Sequence, residues 1–160
     1  MRKVNERELE WTLARQSPSR KFERSGKKLS EALGRDPKSL DLNKRHPFDV
    51  EIQRVPPGSA SCPYHAHSAQ WEFYHVISGQ GTVRHSDGKE RIKEGDAFLF
   101  KPTEAHQIIN DGVQDLILCV VADNPLGELW YYPDSNKWGV NVPEYRFMRS
   151  EPLDYYDGEE

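Results

Sequence analysis

The chain has 160 residues, of which 36% are hydrophobic and 30% are charged, so it is long enough for one domain and short for two. Its 22 Lys and Arg against 26 Asp and Glu give a net charge of -4, the wrong sign for a protein that neutralises phosphate backbones. The sequence has no apolar run long enough for a secretory signal or a membrane span, and its two cysteines are too few for a framework of disulfides. We expect a cytoplasmic protein with reduced thiols that binds neither nucleic acid nor membrane.

Residues 1–47 are polar and lean basic, with patches such as SRKFERSGKK. The one helix signal is LSEALG, which ends at Gly34. We predict that this segment is an arm that packs on the main domain and adds little to its core.

Residues 48–122 are short runs rich in Val, Ile, Phe and Tyr, separated by Gly, Pro, Asp and Asn. This spacing is typical of a barrel or sandwich and predicts six or more antiparallel strands. Asp87-Gly88 predicts a two-residue hairpin with a type I′ turn, which needs positive φ at both central residues. Cys119 lies inside LILCVV and is expected to be a structural thiol in the core.

Residues 123–160 form a C-terminal extension that is too aromatic to be typical of disorder. We expect it to be ordered, either capping the mouth of a barrel or forming a subunit interface, where Trp and Tyr are enriched. The aromatic side chains in question are Trp130, Tyr131, Tyr132 and Trp138.

A metal site is predicted from four side chains in the central segment. His65 and His67 share a strand face, Glu72 follows after room for one turn, and His106 stands on a later strand. Imidazoles suit Zn, Cu, Fe and Ni, a carboxylate adds preference for Mn, and four ligands on an octahedral ion leave two positions open. The alternative is a metal-free cluster of hydrogen-bonded polar groups, in which burial of the carboxylate is costly.

These residues belong to two motifs that resemble those of the cupin superfamily, and the flanks are similar to those of uncharacterised single-domain bacterial cupins. The first motif runs from Gly through His-x-His and Glu to a second Gly. It is matched by Gly58, His65, His67, Glu72 and Gly79. Six residues rather than five separate the first Gly from the first His. The second is matched by Gly95, Pro102, His106 and Asn110, with Glu104 at a position where the family has Gly. That departure concerns loop shape only.

The resemblance covers about residues 48–122. It implies an all-β double-stranded β-helix, or jelly-roll barrel, that holds a divalent transition metal such as Zn, Mn, Fe or Ni. It also implies a homodimer, because cupins commonly dimerise by exchanging terminal strands, which favours the interface role for the aromatic extension.

Further side chains are candidates for the pocket around the metal. Tyr74 shares the face of Glu72 and is either a substrate contact or core packing. Phe98 and Phe100 are expected to face inward and line or fill the pocket, and Asn110 shares the face of His106, with a structural role favoured. The remaining histidines, His46, His75 and His85, are expected at the surface. Cys62 is expected to have no ligand role.

The favoured function is a metal-dependent enzyme acting on a small polar molecule, with a preference for an isomerase-type proton shift on a sugar or sugar phosphate. Glu72 and Tyr74 are the only inward acid or base candidates, and a metal-bound Glu is a poor base, so no catalytic residue is assigned. The alternatives are an Fe(II) dioxygenase and a non-catalytic module that binds a small molecule.

Overall fold

The computed structural model describes residues 1–141, 145–149 and 151–159. The described part of the chain is mainly β-structure, with strands β1 Thr12–Gln16, β2 Glu23–Lys28, β3 Phe48–Val55, β4 Ala66–His67, β5 Glu72–Ser78, β6 Gln80–His85, β7 Gly88–Lys93, β8 Ala97–Phe100, β9 His106–Ile109, β10 Leu116–Asp123, β11 Leu129–Tyr132, β12 Lys137–Asn141 and β13 Tyr145–Met148. The helices are short: α1 Leu29–Ala32, α2 Leu42–Arg45, and 3-10 turns at Glu6–Glu8 and Pro133–Ser135.

The strands form three antiparallel sheets, with orders β1-β2-β3-β10-β5-β8, β7-β6-β9 and β13-β12-β11-β4. A single bridge between His65 and His106 joins the last two sheets. Half of the neighbouring strand pairs join strands that are not consecutive in sequence, among them β3 with β10, β5 with β8 and β6 with β9, as in a jelly roll. The all-β jelly-roll fold expected from the sequence is confirmed.

The core lies on the inward face of the six-stranded sheet. Tyr74 and Val76 of β5 are buried, whereas Phe73 and His75, which alternate with them, are exposed, as the geometry of a strand requires. The rest of this core comes from other strands of the same sheet and from the β7-β6-β9 sheet: Val55, Phe100, Leu116, Leu118 and Val120 from the first, and Val83, Ile92 and Ile108 from the second. Burial of each such side chain contributes about 1.5–3 kcal/mol, so this layer holds the surrounding polar side chains in place.

Residues 1–47 do more than pack on the barrel as an arm. The helix predicted near LSEALG is present as α1, and Gly34 follows it with a φ of 100°. The sequence did not predict β1 and β2, which extend the large sheet beyond β3. These strands are polar, and all five residues of β1 are exposed, so they lack the apolar alternation by which a strand is recognised.

The hairpin between β6 and β7 is present, but its predicted turn type is wrong. His85 pairs with Gly88, so the turn residues are Ser86 and Asp87, not Asp87 and Gly88. Of these three loop residues only Gly88 has positive φ, at 144°. The chain reverses with one glycine in an unusual conformation, whereas a type I′ turn would need two such residues.

The C-terminal extension reaches the barrel through β11. Strand β11 pairs with β4, with Trp130 opposite His67 and Tyr131 opposite Ala66. The extension thereby reaches the side chains predicted to bind metal.

Candidate metal site

The four predicted metal ligands converge on one point inside the jelly roll. His67 Nε2 lies 3.2 Å from His65 Nε2 and 3.4 Å from Glu72 Oε2, and His106 Nε2 lies 2.8 Å from the same carboxylate oxygen. Ligand atoms of His65, Glu72 and His106 all lie within 4.8 Å of one another. Strands β4, β5 and β9 supply His67, Glu72 and His106. His65 directly precedes β4, and its bridge to His106 joins β4 to β9.

Each imidazole is anchored through its outer ring nitrogen, Nδ1. The acceptors lie outside the cluster: the Pro63 carbonyl oxygen at 3.1 Å for His65, the Glu104 carbonyl oxygen at 3.1 Å for His106, and Glu128 Oε1 at 3.2 Å for His67. An Nδ1–H that donates outward leaves the Nε2 lone pair pointing inward, the tautomer that metal-ligating histidines adopt.

This arrangement requires positive charge at its centre. Two Nε2 lone pairs 3.2 Å apart repel each other, and the Glu72 carboxylate adds negative charge beside them. A proton on one imidazole satisfies the cluster in part, whereas a divalent cation would satisfy all four ligands at once. The donor set therefore fits a divalent transition metal.

The ionisation of the cluster agrees with this requirement. Burial raises the pKa of Glu72, but hydrogen bonds with His106 and His67 outweigh burial and hold that pKa well below its usual range. Burial disfavours charge on His67, yet its hydrogen bonds with Glu128 and Glu72 raise its pKa to about 9. Burial lowers the pKa of His65 to about 4. In the metal-free cluster these pKa values favour a neutral His65 and a proton on His67, and a bound cation would displace that proton.

Glu128 is a site residue that the sequence reasoning missed. Its side chain is buried, and besides His67 Nδ1 it accepts hydrogen bonds from the backbone N–H groups of Ser68 at 2.8 Å and Ala69 at 3.1 Å. It fixes both the ring of His67 and the loop after β4. Glu128 lies in a loop 61 positions from His67, and no local pattern marks it.

Tyr74 lies beside the cluster. Its hydroxyl donates a hydrogen bond to Glu72 Oε2 at 3.0 Å, and its ring stacks on Phe98 with centroids 5.3 Å apart. Burial and the charge of Glu72 raise the pKa of Tyr74 well above its usual value, so the phenol keeps its proton.

The two phenylalanines and Asn110 have different surroundings. Phe100 stacks on His106 with centroids 4.0 Å apart, and Phe98 and Phe100 also line a cleft beside Ile92. Asn110 is fully buried, and its amide donates to the carbonyl oxygens of Val55 and Gln114 while its oxygen accepts from Gly112 N. The structure uses this side chain to brace a loop, the role favoured for it over substrate contact.

The C-terminal extension covers the cluster from the side of β11. Tyr132 stacks on His65 with ring centroids 6.0 Å apart, and Trp130 lies edge-on to His67 at 6.4 Å. Tyr131 packs instead against Trp138, with centroids 4.7 Å apart. Of these four side chains, only Tyr132 and Trp130 therefore lie over the cluster, and the subunit-interface role favoured for the extension stays a prediction.

The other histidines and Cys62 lie outside the cluster. His75 is exposed on the outer face of β5, and His85 Nδ1 accepts a hydrogen bond from Asp87 N within the hairpin. His46 is half-buried in the segment before β3. Cys62 Sγ lies 3.5 Å from His65 Nδ1, on the outer side of the ring, so its sulfur contacts the anchored nitrogen and not the inward one.

Comparison with known proteins identifies the central domain. The family model described as a cupin domain matches residues 51–122, which contain all four converging side chains. The chain contains a cupin domain. Within the described ranges, none of the helices is long and apolar enough to cross a membrane.

Several known proteins are similar to this chain. The oxalate-binding protein of Thermotoga maritima is 41% identical over 64 residues, 39% of this chain and 51% of the relative, so the chain spans about half the length of that curated relative. A putative sugar phosphate isomerase from Acidithiobacillus ferrooxidans has a TM-score of 0.78 and 24% identity, covering 92% of each chain. A sugar phosphate isomerase from Silicibacter pomeroyi has a TM-score of 0.77 and 22% identity, covering 96% of this chain and 97% of its own. Likeness to these two structures shows that the fold extends beyond the cupin domain into both flanks.

Proposed function

We propose that this cupin is a divalent-metal-dependent enzyme that acts on a small polar molecule, and that its reaction is an isomerase-type proton shift on a sugar or sugar phosphate. The observation that carries the proposal is the convergence of three Nε2 atoms and one carboxylate, each imidazole anchored through Nδ1. Such anchoring is typical of metal-ligating histidines.

The metal would be held by His65, His67, Glu72 and His106, and it would supply Lewis-acid polarisation of a carbonyl or hydroxyl group. Tyr74 keeps its phenolic proton and directs it at Glu72 Oε2, so it is a hydrogen-bond donor at the edge of the cluster and not a base. Tyr132 and Trp130 cover one side of the cluster and limit the access of water.

The preference for a sugar or sugar phosphate is supported by the two structures named as sugar phosphate isomerases. They resemble this cupin over more than nine-tenths of its length, including the flanks that are outside the cupin domain. The C-terminal flank covers one side of the cluster in this chain, so the shared fold includes the segment beside the pocket.

A second candidate is a non-catalytic module that binds a small molecule. One observation in its favour is the 41% identity to the oxalate-binding protein. The other is that the two inward acid or base candidates, Tyr74 and Glu72, are hydrogen-bonded to each other. In this reading the metal organises the pocket without turnover.

Metal analysis of protein purified without chelator is the first test. We expect about one divalent ion per chain, lost in His65→Ala and kept in His75→Ala, which removes an exposed histidine from the opposite face of β5. The loaded protein is then incubated in D2O with a panel of aldose and ketose phosphates, and solvent deuterium incorporation is followed by NMR.

Each outcome separates the candidates. Deuterium incorporation that requires the metal supports the isomerase. Saturable oxalate binding without exchange on any sugar supports the binding module. Iron in the purified protein with oxygen uptake in the presence of a small organic substrate supports the dioxygenase, and protein that takes up no metal at all contradicts the metal site.

A further inference from the structure

Two arginines of the N-terminal segment lie directly opposite each other. Arg15 of β1 pairs with Arg24 of β2, at the point where a bulge after Leu13 shifts the register. Without the bulge, Ala14 would occupy the place opposite Arg24. Like charges directly opposite in a sheet are destabilising, so a bulge that creates such a pair calls for an explanation.

Arg24 faces the interior of the jelly roll. It lies two positions before Gly26, which pairs with the buried Gln53, so Arg24 and Gln53 share the inward face. Its guanidinium has one ion pair, from Nη1 to Glu51 Oε2 at 3.2 Å, while its buried Nε has no hydrogen-bond partner among the described residues. An Arg that is three-quarters buried with a free N–H is a donor in need of an acceptor.

Space for this group is built into the sheet. A Cβ on Gly26 would collide with the Glu51 carboxylate, so the glycine leaves a gap through which Glu51 reaches Arg24. Glu51 Oε2 also accepts a hydrogen bond from Gln53 Nε2 at 3.0 Å. Glu51 thus orients the guanidinium through one end and leaves Nε unpaired.

The register of the large sheet places this pair near the proposed metal pocket. Glu51, which holds Arg24 by an ion pair, is paired with Val120 of β10. Val120 is paired on its other side with Tyr74, whose hydroxyl donates a hydrogen bond to the cluster. Glu51 and Tyr74 therefore lie in one row across the inward face of the sheet, and Arg15, opposite Arg24, lies at the edge of that face.

We propose that Arg15 and Arg24 form an anion-binding subsite of the pocket, which receives a carboxylate or phosphate group of the bound molecule. An anion between them would relieve the repulsion of the cross-strand pair and supply the acceptor that Arg24 Nε lacks. Guanidinium groups bind the planar face of a carboxylate or two phosphate oxygens with paired hydrogen bonds. This inference rests on the proposed function in placing the anion beside the metal cluster.

The test measures binding of inorganic phosphate and of oxalate separately, by calorimetry on the full chain with and without bound metal. Variants are Arg15→Gln and Arg24→Gln, with Arg24→Lys to retain charge without the planar fork. The matched control is Arg54→Gln, which removes a charge from the outer face of β3, opposite Ser25. Metal content and thermal melting are recorded for every variant.

We expect at least one of the two anions to bind, with Kd raised about tenfold or more in both Gln variants and unchanged in Arg54→Gln. Metal content stays the same throughout. A preference for phosphate points to a sugar phosphate, and a preference for oxalate to a small carboxylate. If Arg24→Gln does not fold, Arg15→Gln and Arg24→Lys carry the same comparison.

The inference is overturned if neither anion binds, or if both bind the Gln variants as tightly as the native chain. Its failure is distinct from that of the proposed function. If the chain binds an anion through the arginines but takes up no metal, only the metal-dependent enzyme is contradicted. If it takes up metal and isomerises a neutral sugar but binds no anion, only the subsite is contradicted.

Discussion

Glu128 Oε1 lies 3.2 Å from Nδ1 of His67, although 61 positions separate the two residues, and the same carboxylate accepts two backbone N–H groups. His67 therefore keeps a fixed ring orientation, which depends on the docking of the C-terminal extension onto β4.

From this contact we predict that Glu128→Gln weakens divalent-metal affinity by about 10- to 100-fold, because the anchoring of His67 loses its charged acceptor. Competition titration with a zinc chelator measures the change. Glu104→Gln is the matched control, because it is the backbone carbonyl of Glu104, and not its exposed side chain, that holds His106. Equal affinity in the two variants would contradict a positioning role for Glu128.

Removal of either of two ligands should abolish metal uptake without unfolding the barrel. We expect His65→Ala and His106→Ala to purify with less than a tenth of the native metal content, since each breaks the ligand set at a buried position. Circular dichroism verifies the β-sheet fold, and His75→Ala serves as the exposed control. Native metal content in both variants would mean that the ligand assignment is wrong.

Tyr74→Phe removes one hydrogen bond from the Glu72 carboxylate while the aromatic packing against Phe98 is retained. We expect a loss of about 1–2 kcal/mol in the unfolding free energy, because a bond to a charged acceptor is worth more than a neutral one. Urea unfolding of the metal-free protein gives the value. Metal content is expected to be unchanged, and a loss of metal would show that Tyr74 does more than donate to Glu72.

Acid should weaken the contact between Arg20 and Glu23. The hydrogen bond from Arg20 lowers the pKa of Glu23 to about 2, so this carboxylate contributes stability that is fully present above its ordinary pKa of 4.5 and is lost as pH falls from there toward 2. The stability difference between the native chain and Arg20→Gln, measured by urea unfolding, should shrink between pH 5 and pH 2.5. A difference that stays constant over this range would contradict the assignment.

We propose that the chain forms a homodimer through the outer face of β5 and β8. Phe73 and Leu99 are paired across these strands and are 38% and 48% exposed, with Ile77 nearby at 40%. Apolar side chains grouped on one sheet face favour association. Light scattering after gel filtration is expected to give a dimer for the native chain, a monomer for Leu99→Glu, and a dimer for Leu40→Glu, which alters an exposed leucine elsewhere. A monomeric native chain would contradict the proposal.

Much of the site follows from properties that a single strand carries by itself. Alternation along a strand places His65 with His67, and Tyr74 with Glu72 but opposite His75, whatever the rest of the chain does. The spacing of apolar runs and turn residues likewise determines an all-β fold and the segment in which the ligands lie.

The remaining contacts were decided by the tertiary structure. The anchoring of His67 by Glu128, the pairing of Arg15 with Arg24 and the addition of two polar strands to the large sheet all join segments that share no local pattern. The spacing of polar side chains along the sequence does not show which residues they bind. Their interaction energy depends on which charge or hydrogen-bonding group the packing of other strands brings within about 3 Å. Strand alternation therefore determined which side chains face the pocket, and the packing of distant segments determined what holds and surrounds them.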